Sequence, residues 1–189
     1  MSKDLIRKIN KQKRSSMNKT EVQEKSRRAS ELFLAGDIYA GSRVLMLYMP
    51  LGNEADTSLI FQRALADGKK IVLPVTDIQN NDIIPYYVDS KTKLESGAFS
   101  ISEPVGARMA LVSDIDTIVV PGIAFSYFGE RVGFGKGFYD RFLACTDAIK
   151  VGFCYDFQLC NSIGADKHDI AMDYIVSECG IFNCKNNAG

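Results

Sequence analysis

Between Val120 and Leu143 the chain reads VPGIAFSYFGERVGFGKGFYDRFL. Gly129, Gly133, Gly135 and Gly137 are gathered around two cations, Arg131 and Lys136. Glycine lets a backbone approach a ligand closely and take positive φ. Exposed backbone N–H groups beside cations suit phosphate. An aromatic pair, Phe138-Tyr139, follows, and then Asp140, a carboxylate suited to a magnesium ion that also holds phosphates. The stretch reads as a nucleotide phosphate site. The bland alternative is a tight strand-to-helix connection whose glycines serve only the turn.

Two familiar phosphate motifs are excluded. A Walker A loop needs Gly five positions before its Gly-Lys pair and Ser or Thr after it. Here Glu130 and Gly137 stand there. A dinucleotide fingerprint fails as well, because Gly133-Phe134-Gly135 runs on into Lys136-Gly137-Phe138.

Such a loop must be held at the end of a strand, and the chain supplies strands and helices in alternation. Residues 2–14 read as a helix with Leu5, Ile6 and Ile9 on one side. Asn18 or Thr20 can cap a second helix running to about Leu34, stopped by Gly36. Arg43–Met49 is an apolar strand broken by Pro50-Leu51-Gly52. Asp56 or Thr57 can cap a helix through Ala66, with Gly68 closing it. Lys70–Val75 is a strand, Asp77–Asp82 a polar turn, and Ile83–Val88 a strand whose Pro85 argues for an edge or an irregularity. Residues 89–113 read as short strands and loops. Thr117–Val120 is the strand leading into the glycine loop, and a helix over Gly137–Cys145 follows it. Lys150–Tyr155 and Tyr174–Ser177 are the last strands, and the polar tail after Phe182 is expected to fray. Continuous apolar strands alternating with helices predict an α/β protein with a largely parallel sheet covered on both faces. Ligands bind such sheets beyond the carboxyl ends of the strands.

Composition narrows the partners. The 189 residues favour one domain, with no linker to divide them. Lys plus Arg and Asp plus Glu are 23 each, so no net field draws the chain to nucleic acid or membrane. No apolar run is long enough to span a bilayer, and the N-terminus lacks the apolar core of a signal peptide. Five cysteines form no C-x-x-C pair and there is a single His, so a zinc site is not expected; reduced, small buried thiols in a cytoplasmic protein are.

Pro121-Gly122, Phe125, Gly129, Arg131, Gly133, Gly135, Gly137 and Phe138-Tyr139-Asp140-Arg141 follow the order P-G-x-x-F-D-x-x-G-x-R-L-G-x-G-x-G-Y/F-Y-D-R. That order closely resembles the signature of the 5-formyltetrahydrofolate cyclo-ligases, also called methenyltetrahydrofolate synthetases. Val132 replaces the usual Leu, and Ser126 stands where that family usually has Asp, which leaves open what orients the start of the loop. Lys3 and Arg7 match an N-terminal K-x-x-x-R, LGNEADT from Leu51 to Thr57 resembles an E-V-D/E-T segment, Leu73-Pro74 a strand end, ISEPV from Ile101 a G-I-x-E-P, and His168-Asp169 a late H-D pair.

The resemblance implies a three-layer α/β/α fold of the NagB/RpiA/CoA transferase type, with residues 1–189 as a single domain. It implies ATP-dependent closure of 5-formyltetrahydrofolate to 5,10-methenyltetrahydrofolate by a monomeric enzyme. ATP would be held by Lys3, Arg7, Arg131, Val132, Gly133, Phe134, Gly135, Lys136, Gly137, Phe138 and Tyr139, with Arg131, Lys136 and Tyr139 carrying the catalysis. Mg²⁺ would be held by Asp140 and Asp169, with His168 as a neighbour. The folate would meet Leu51, Glu54, Asp56 and Phe138, with Asp56 favoured over Glu54 as the carboxylate facing the pterin. Two other readings use the same loop: a paralogue acting on another acceptor, and a nucleotide-binding module without turnover.

Overall fold

The computed structural model describes residues 2–164, 166 and 168–187. Its helices are α1 (Lys3–Ser16), α2 (Lys19–Ala35), α3 (Asp37–Gly41), α4 (Ser58–Ala66) and α5 (Phe138–Leu143). Its strands are β1 (Val44–Met46), β2 (Lys70–Asp77), β3 (Asp82–Val88), β4 (Lys93–Ser96), β5 (Ser102–Val105), β6 (Thr117–Val120), β7 (Ala124–Ser126), β8 (Arg131–Val132), β9 (Ile149–Phe153), β10 (Leu159–Cys160), β11 (Tyr174–Ser177) and β12 (Gly180–Asn183).

Seven strands form the central sheet in the order β12-β11-β9-β6-β1-β2-β3. The inner five are parallel, and β3 and β12 close the two edges antiparallel. Alternation along each strand sorts the side chains to two faces. Leu45, Ile71, Val119, Val151 and Val176 point to one, where Ala29 and Phe33 of α2, Tyr39 of α3 and Ile60 and Ala64 of α4 cover them. Met46, Val72, Ile118, Val120 and Ile175 point to the other, under Phe142 and Leu143 of α5 and Phe125 of a small sheet ordered β10-β7-β8. Pro85 sits on the edge strand β3 opposite Pro74 of β2, and on the outer side its carbonyl accepts from Ala110 N at 2.8 Å. Asn18 caps α2 in a reciprocal box with Glu21.

The helix α1 lies apart from both layers. Its Ile6 packs with Ile123, Ala124, Val132 and Ile163 in a separate small cluster beside the glycine loop. Asn53 also donates from Nδ2 to the carbonyls of Arg14 and Met17, each at 3.0 Å, clasping the end of α1 to the loop after β1.

Several segments differ from the sequence reading. The strand expected over Arg43–Met49 is a ladder only over Val44–Met46; Leu47 still bonds to Val72, but Tyr48 and Met49 leave the sheet to wall a cleft. The stretch 89–113, read as short strands and loops, is that, with two of its strands paired as a hairpin, β4 with β5. The tail does not fray at Phe182: β12 runs to Asn183, and Cys184 is buried, its N–H donating to Asp173 O at 3.0 Å. Only the last two positions of that tail lie outside the described residues. All five cysteines are free thiols, but Cys145 and Cys179 are exposed rather than buried.

Candidate active site

A cleft of about 470 Å³ opens beyond the carboxyl ends of β1, β2 and β6. One wall is Tyr48, Met49, Leu51 and Glu54 from the loop after β1, with Pro74 and Thr76 of β2. The facing wall is the glycine loop, Gly133 to Gly137, and Phe138, Tyr139 and Asp140 of α5. Lys3 and Arg7 of α1 line the cleft too, Lys3 meeting Asp166 and Asp169, and Phe99 and Ile101 reach in from the β4–β5 hairpin.

The glycine loop is shaped by its backbone. Gly135 and Gly137 hold φ of +98° and +71°, left-handed values that would strain a residue with a Cβ. Gly137 then hands the chain to α5. Arg141 secures the loop from behind, donating from Nη2 to Lys136 O at 3.2 Å and from Nε to Asn81 O at 2.7 Å. The entry to the loop is set by Ser126, fully buried, whose Oγ accepts from the N–H groups of Phe128 and Glu130 at 3.3 and 3.1 Å.

Four cations converge on this end of the cleft. Arg131 is buried; Nη2 donates to Asp140 Oδ1 at 2.8 Å, and its guanidinium lies 5.7 Å from the centre of the Tyr139 ring. Its Nε is buried with no hydrogen-bond partner among the described residues. Lys136 is exposed and makes no ion pair among the described residues. Arg7 donates from Nε to Gly133 O at 3.0 Å and pairs with Asp4 at 2.6 Å. Lys3 Nζ reaches Asp169 at 2.5 Å and Asp166 at 2.6 Å. Burial alone would push Lys3 down and Asp169 up, but the hydrogen bonds and charge of this cluster outweigh it. Lys3 is therefore raised and Asp169 lowered, and both stay charged near neutrality. Burial also drives the Tyr139 phenol well above its ordinary value, so this ring offers a neutral O–H donor and not a base.

The other end is apolar with one carboxylate. Glu54 is only 6% exposed. Its Oε2 accepts from Leu51 N at 2.9 Å, and its Oε1 from Arg14 Nη1 at 3.3 Å. Burial raises its pKa against the lowering effects of the Leu51 N–H and the Arg14 charge. Phe138 and Phe99 meet edge to face with ring centres 6.2 Å apart.

Two expected site residues stand elsewhere. Asp56 does not line the cleft: its Oδ1 accepts from Ser58 N at 2.8 Å and Ser58 Oγ at 2.6 Å, a local turn just ahead of α4, whose N-cap position is Thr57. Of the two, the carboxylate that lines the cleft is Glu54, two positions earlier, which folds back onto Leu51 N while Asp56 bonds forward to Ser58. The side chain of Val132 is buried under Ile6 of α1, so only its backbone belongs to the loop.

A sequence model of the 5-formyltetrahydrofolate cyclo-ligase family matches residues 1–178. The chain belongs to the 5-formyltetrahydrofolate cyclo-ligase family. Its fold superimposes on the structure of 5,10-methenyltetrahydrofolate synthetase from Aquifex aeolicus with a TM-score of 0.87, at 34% identity over 98% of this chain and 94% of that one. The 5-formyltetrahydrofolate cyclo-ligase of Mycolicibacterium smegmatis is 30% identical over 166 residues, 82% of this chain and 84% of the relative. That of Escherichia coli K12 is 25% identical over 172 residues, 88% and 94% of the two chains.

Within this family pattern, the departure at Ser126 has a local answer. The family's usual Asp and this Ser both present a side-chain oxygen, and here that oxygen closes the turn that leads into Arg131. His168 is exposed and does not line the cleft. The sequence reading missed Arg14, Tyr48, Phe99, Ile101 and Asp166. Arg14 carried a signal, since it falls seven positions after Arg7 on the same helix face. Phe99 and Ile101 carried none, because their hairpin has no clear strand period.

Proposed function

We propose that this chain catalyses the ATP-dependent closure of 5-formyltetrahydrofolate to 5,10-methenyltetrahydrofolate, releasing ADP and phosphate. The observation that supports this most directly is one cleft with a cationic, glycine-lined end and an apolar end bearing a single buried carboxylate. The two ends suit a triphosphate and a flat heterocycle rich in N–H donors.

A formamide oxygen leaves poorly. Transfer of the γ-phosphoryl group to that oxygen makes it a good leaving group and the formyl carbon electrophilic. The folate's N10 attacks that carbon and gives up its proton, and the former formyl oxygen departs in inorganic phosphate. No covalent enzyme intermediate is required. Positioning and charge neutralisation are what the protein supplies.

Arg131 and Lys136 neutralise the triphosphate, the first as a fixed fork held by Asp140, the second as a movable point charge. Amides of Gly133 to Phe138 cradle it, and Lys3 and Arg7 close over it from α1. Tyr139, neutral and beside Arg131, donates to a developing negative oxygen. Glu54 accepts from the pterin, and Leu51 and Phe138 pack on its ring.

The oxygen-only donors Asp140 and Asp169 on the cleft wall fit Mg²⁺. Among the described residues no cluster of three carboxylate, His or Cys side chains would hold an ion alone, so phosphate oxygens and waters would complete the set. Bound there, the ion would neutralise phosphate charge. The chain acts as a single-domain monomer in this reading.

The test mixes purified protein with 5-formyltetrahydrofolate and MgATP and follows the absorbance of the methenyl product. Nucleotide binding without product would remove the cyclo-ligase assignment and favour a binding module.

A further inference from the structure

Arg14 does not line the cleft, yet it touches both of its ends. Its Nη1 lies 3.3 Å from Glu54 Oε1, with the two side chains 12% and 7% exposed. Its guanidinium also lies 5.6 Å from the centre of the Phe134 ring, inside the glycine loop. Two turns earlier on the same helix, Arg7 bonds to Gly133 O of that loop. One helix face therefore carries the cations for the nucleotide and the cation that holds the folate-facing carboxylate. A guanidinium can do both tasks of Arg14 at once, giving an edge to a carboxylate and a face to a ring; an ammonium cannot.

We infer that Arg14 is a positioning residue that couples the two ends, so that nucleotide and folate tighten each other's binding. The inference rests on the folate-end role given to Glu54 above. Arg7 already rests on the loop and Arg14 on Glu54; a nucleotide that takes Lys3 and Arg7 as ligands fixes α1 in that seat, and a fixed α1 holds Arg14 against Glu54. Coupling of this kind is reciprocal: folate must tighten nucleotide by the same factor.

The experiment is calorimetric binding of 5-formyltetrahydrofolate with and without magnesium and the non-hydrolysable nucleotide AMP-PNP. It is run on the wild-type chain, Arg14→Gln, Arg14→Lys and Glu54→Gln, each checked for folding by thermal unfolding. In the wild type AMP-PNP should tighten folate by about fivefold or more, and folate should tighten AMP-PNP equally. Arg14→Gln should lose that factor while still binding AMP-PNP alone. Arg14→Lys should keep the folate affinity measured without nucleotide and lose most of the coupling. Absence of coupling in the wild type, or full coupling in either Arg14 variant, overturns the inference. Should Arg14→Gln not fold, Arg14→Lys decides. Wild-type folate affinity in Glu54→Gln would instead overturn the reading of the folate end, and this inference with it. Weakened folate binding in Glu54→Gln together with intact coupling in the Arg14 variants overturns the inference alone.

Discussion

The ammonium of Lys3 stands 2.5 Å from the carboxylate of Asp169, across 166 positions of chain. The contact ties the first turn of α1 to the last loop of the cleft. Asp169 is held below its ordinary value of 3.8, so its contribution to stability is complete above that value and is lost as pH falls through the lowered one. Lys3 is held above its ordinary 10.5, so its contribution is complete below 10.5 and is lost as pH rises through the raised value. Lys3→Met should therefore unfold earlier than wild type between those limits, by about 1 kcal/mol for a partly buried pair. The gap should close at more acid pH, as thermal melts across a pH series would show. A gap that persisted at pH well below Asp169's lowered value would contradict the pairing. ATP KM should also rise in this variant.

Glu54 has the opposite perturbation. Burial lifts it above its ordinary 4.5, so its acceptor form is lost at higher pH than for an exposed carboxyl group. In a pH series, kcat/KM for the folate should fall on the acid side with an apparent pKa above 4.5. Glu54→Gln should lower kcat/KM at neutral pH and lack that acid limb. Retention of the limb in this variant would assign it to another group.

Asp56 should be silent in catalysis. Its carboxylate closes the turn onto Ser58 ahead of α4, so replacement by Ala should cost about 1 kcal/mol, or roughly 2–4 °C in melting temperature. Folate and ATP KM should stay at wild-type values. A raised folate KM with an unchanged melt would return Asp56 to the site.

Lys136 and Arg131 should separate in the same assay. Lys136 is exposed and unpaired among the described residues, so Lys136→Ala should leave the melt unchanged. Its turnover should drop about 100-fold or more, the scale for losing one preorganised charge stabiliser. Arg131→Met removes a buried ion-pair partner of Asp140 and should lower both activity and melting temperature. Lys136→Ala with full activity would take Lys136 out of the machinery.

Ser126→Ala should leave the N–H groups of Phe128 and Glu130 without their acceptor, at a cost of about 1–3 kcal/mol. Differential calorimetry would measure it. Stability equal to wild type would mean that the oxygen at this position is not what closes the turn.

Much of this protein was legible along the chain. Apolar runs such as Thr117–Val120 and Lys150–Tyr155 name buried parallel strands by themselves, because a strand covered on both faces has no polar side to show; the second ends as a strand at Phe153. The order Pro121-Gly122, Phe125, Arg131, Gly133, Gly135, Gly137, Tyr139-Asp140-Arg141 also stands in one piece, because a phosphate loop is a local device of backbone and neighbouring cations. What failed was local ambiguity: Glu54 and Asp56 are both acids after one strand, and only the fold decides that one bonds back to Leu51 in the cleft and the other forward to Ser58 of α4.

The sequence by itself therefore determined the α/β class, the phosphate loop and the family signature, since each depends on residues near one another in the chain. The tertiary structure alone decided that α1 lies across the glycine loop, that Lys3 meets Asp169, that Arg14 meets Glu54 and Phe134, and that Phe99 reaches the cleft from a hairpin. Those pairings join segments far apart in sequence, and the chain acquires them only when burial of Ile6, Val132 and the strand faces brings the segments together.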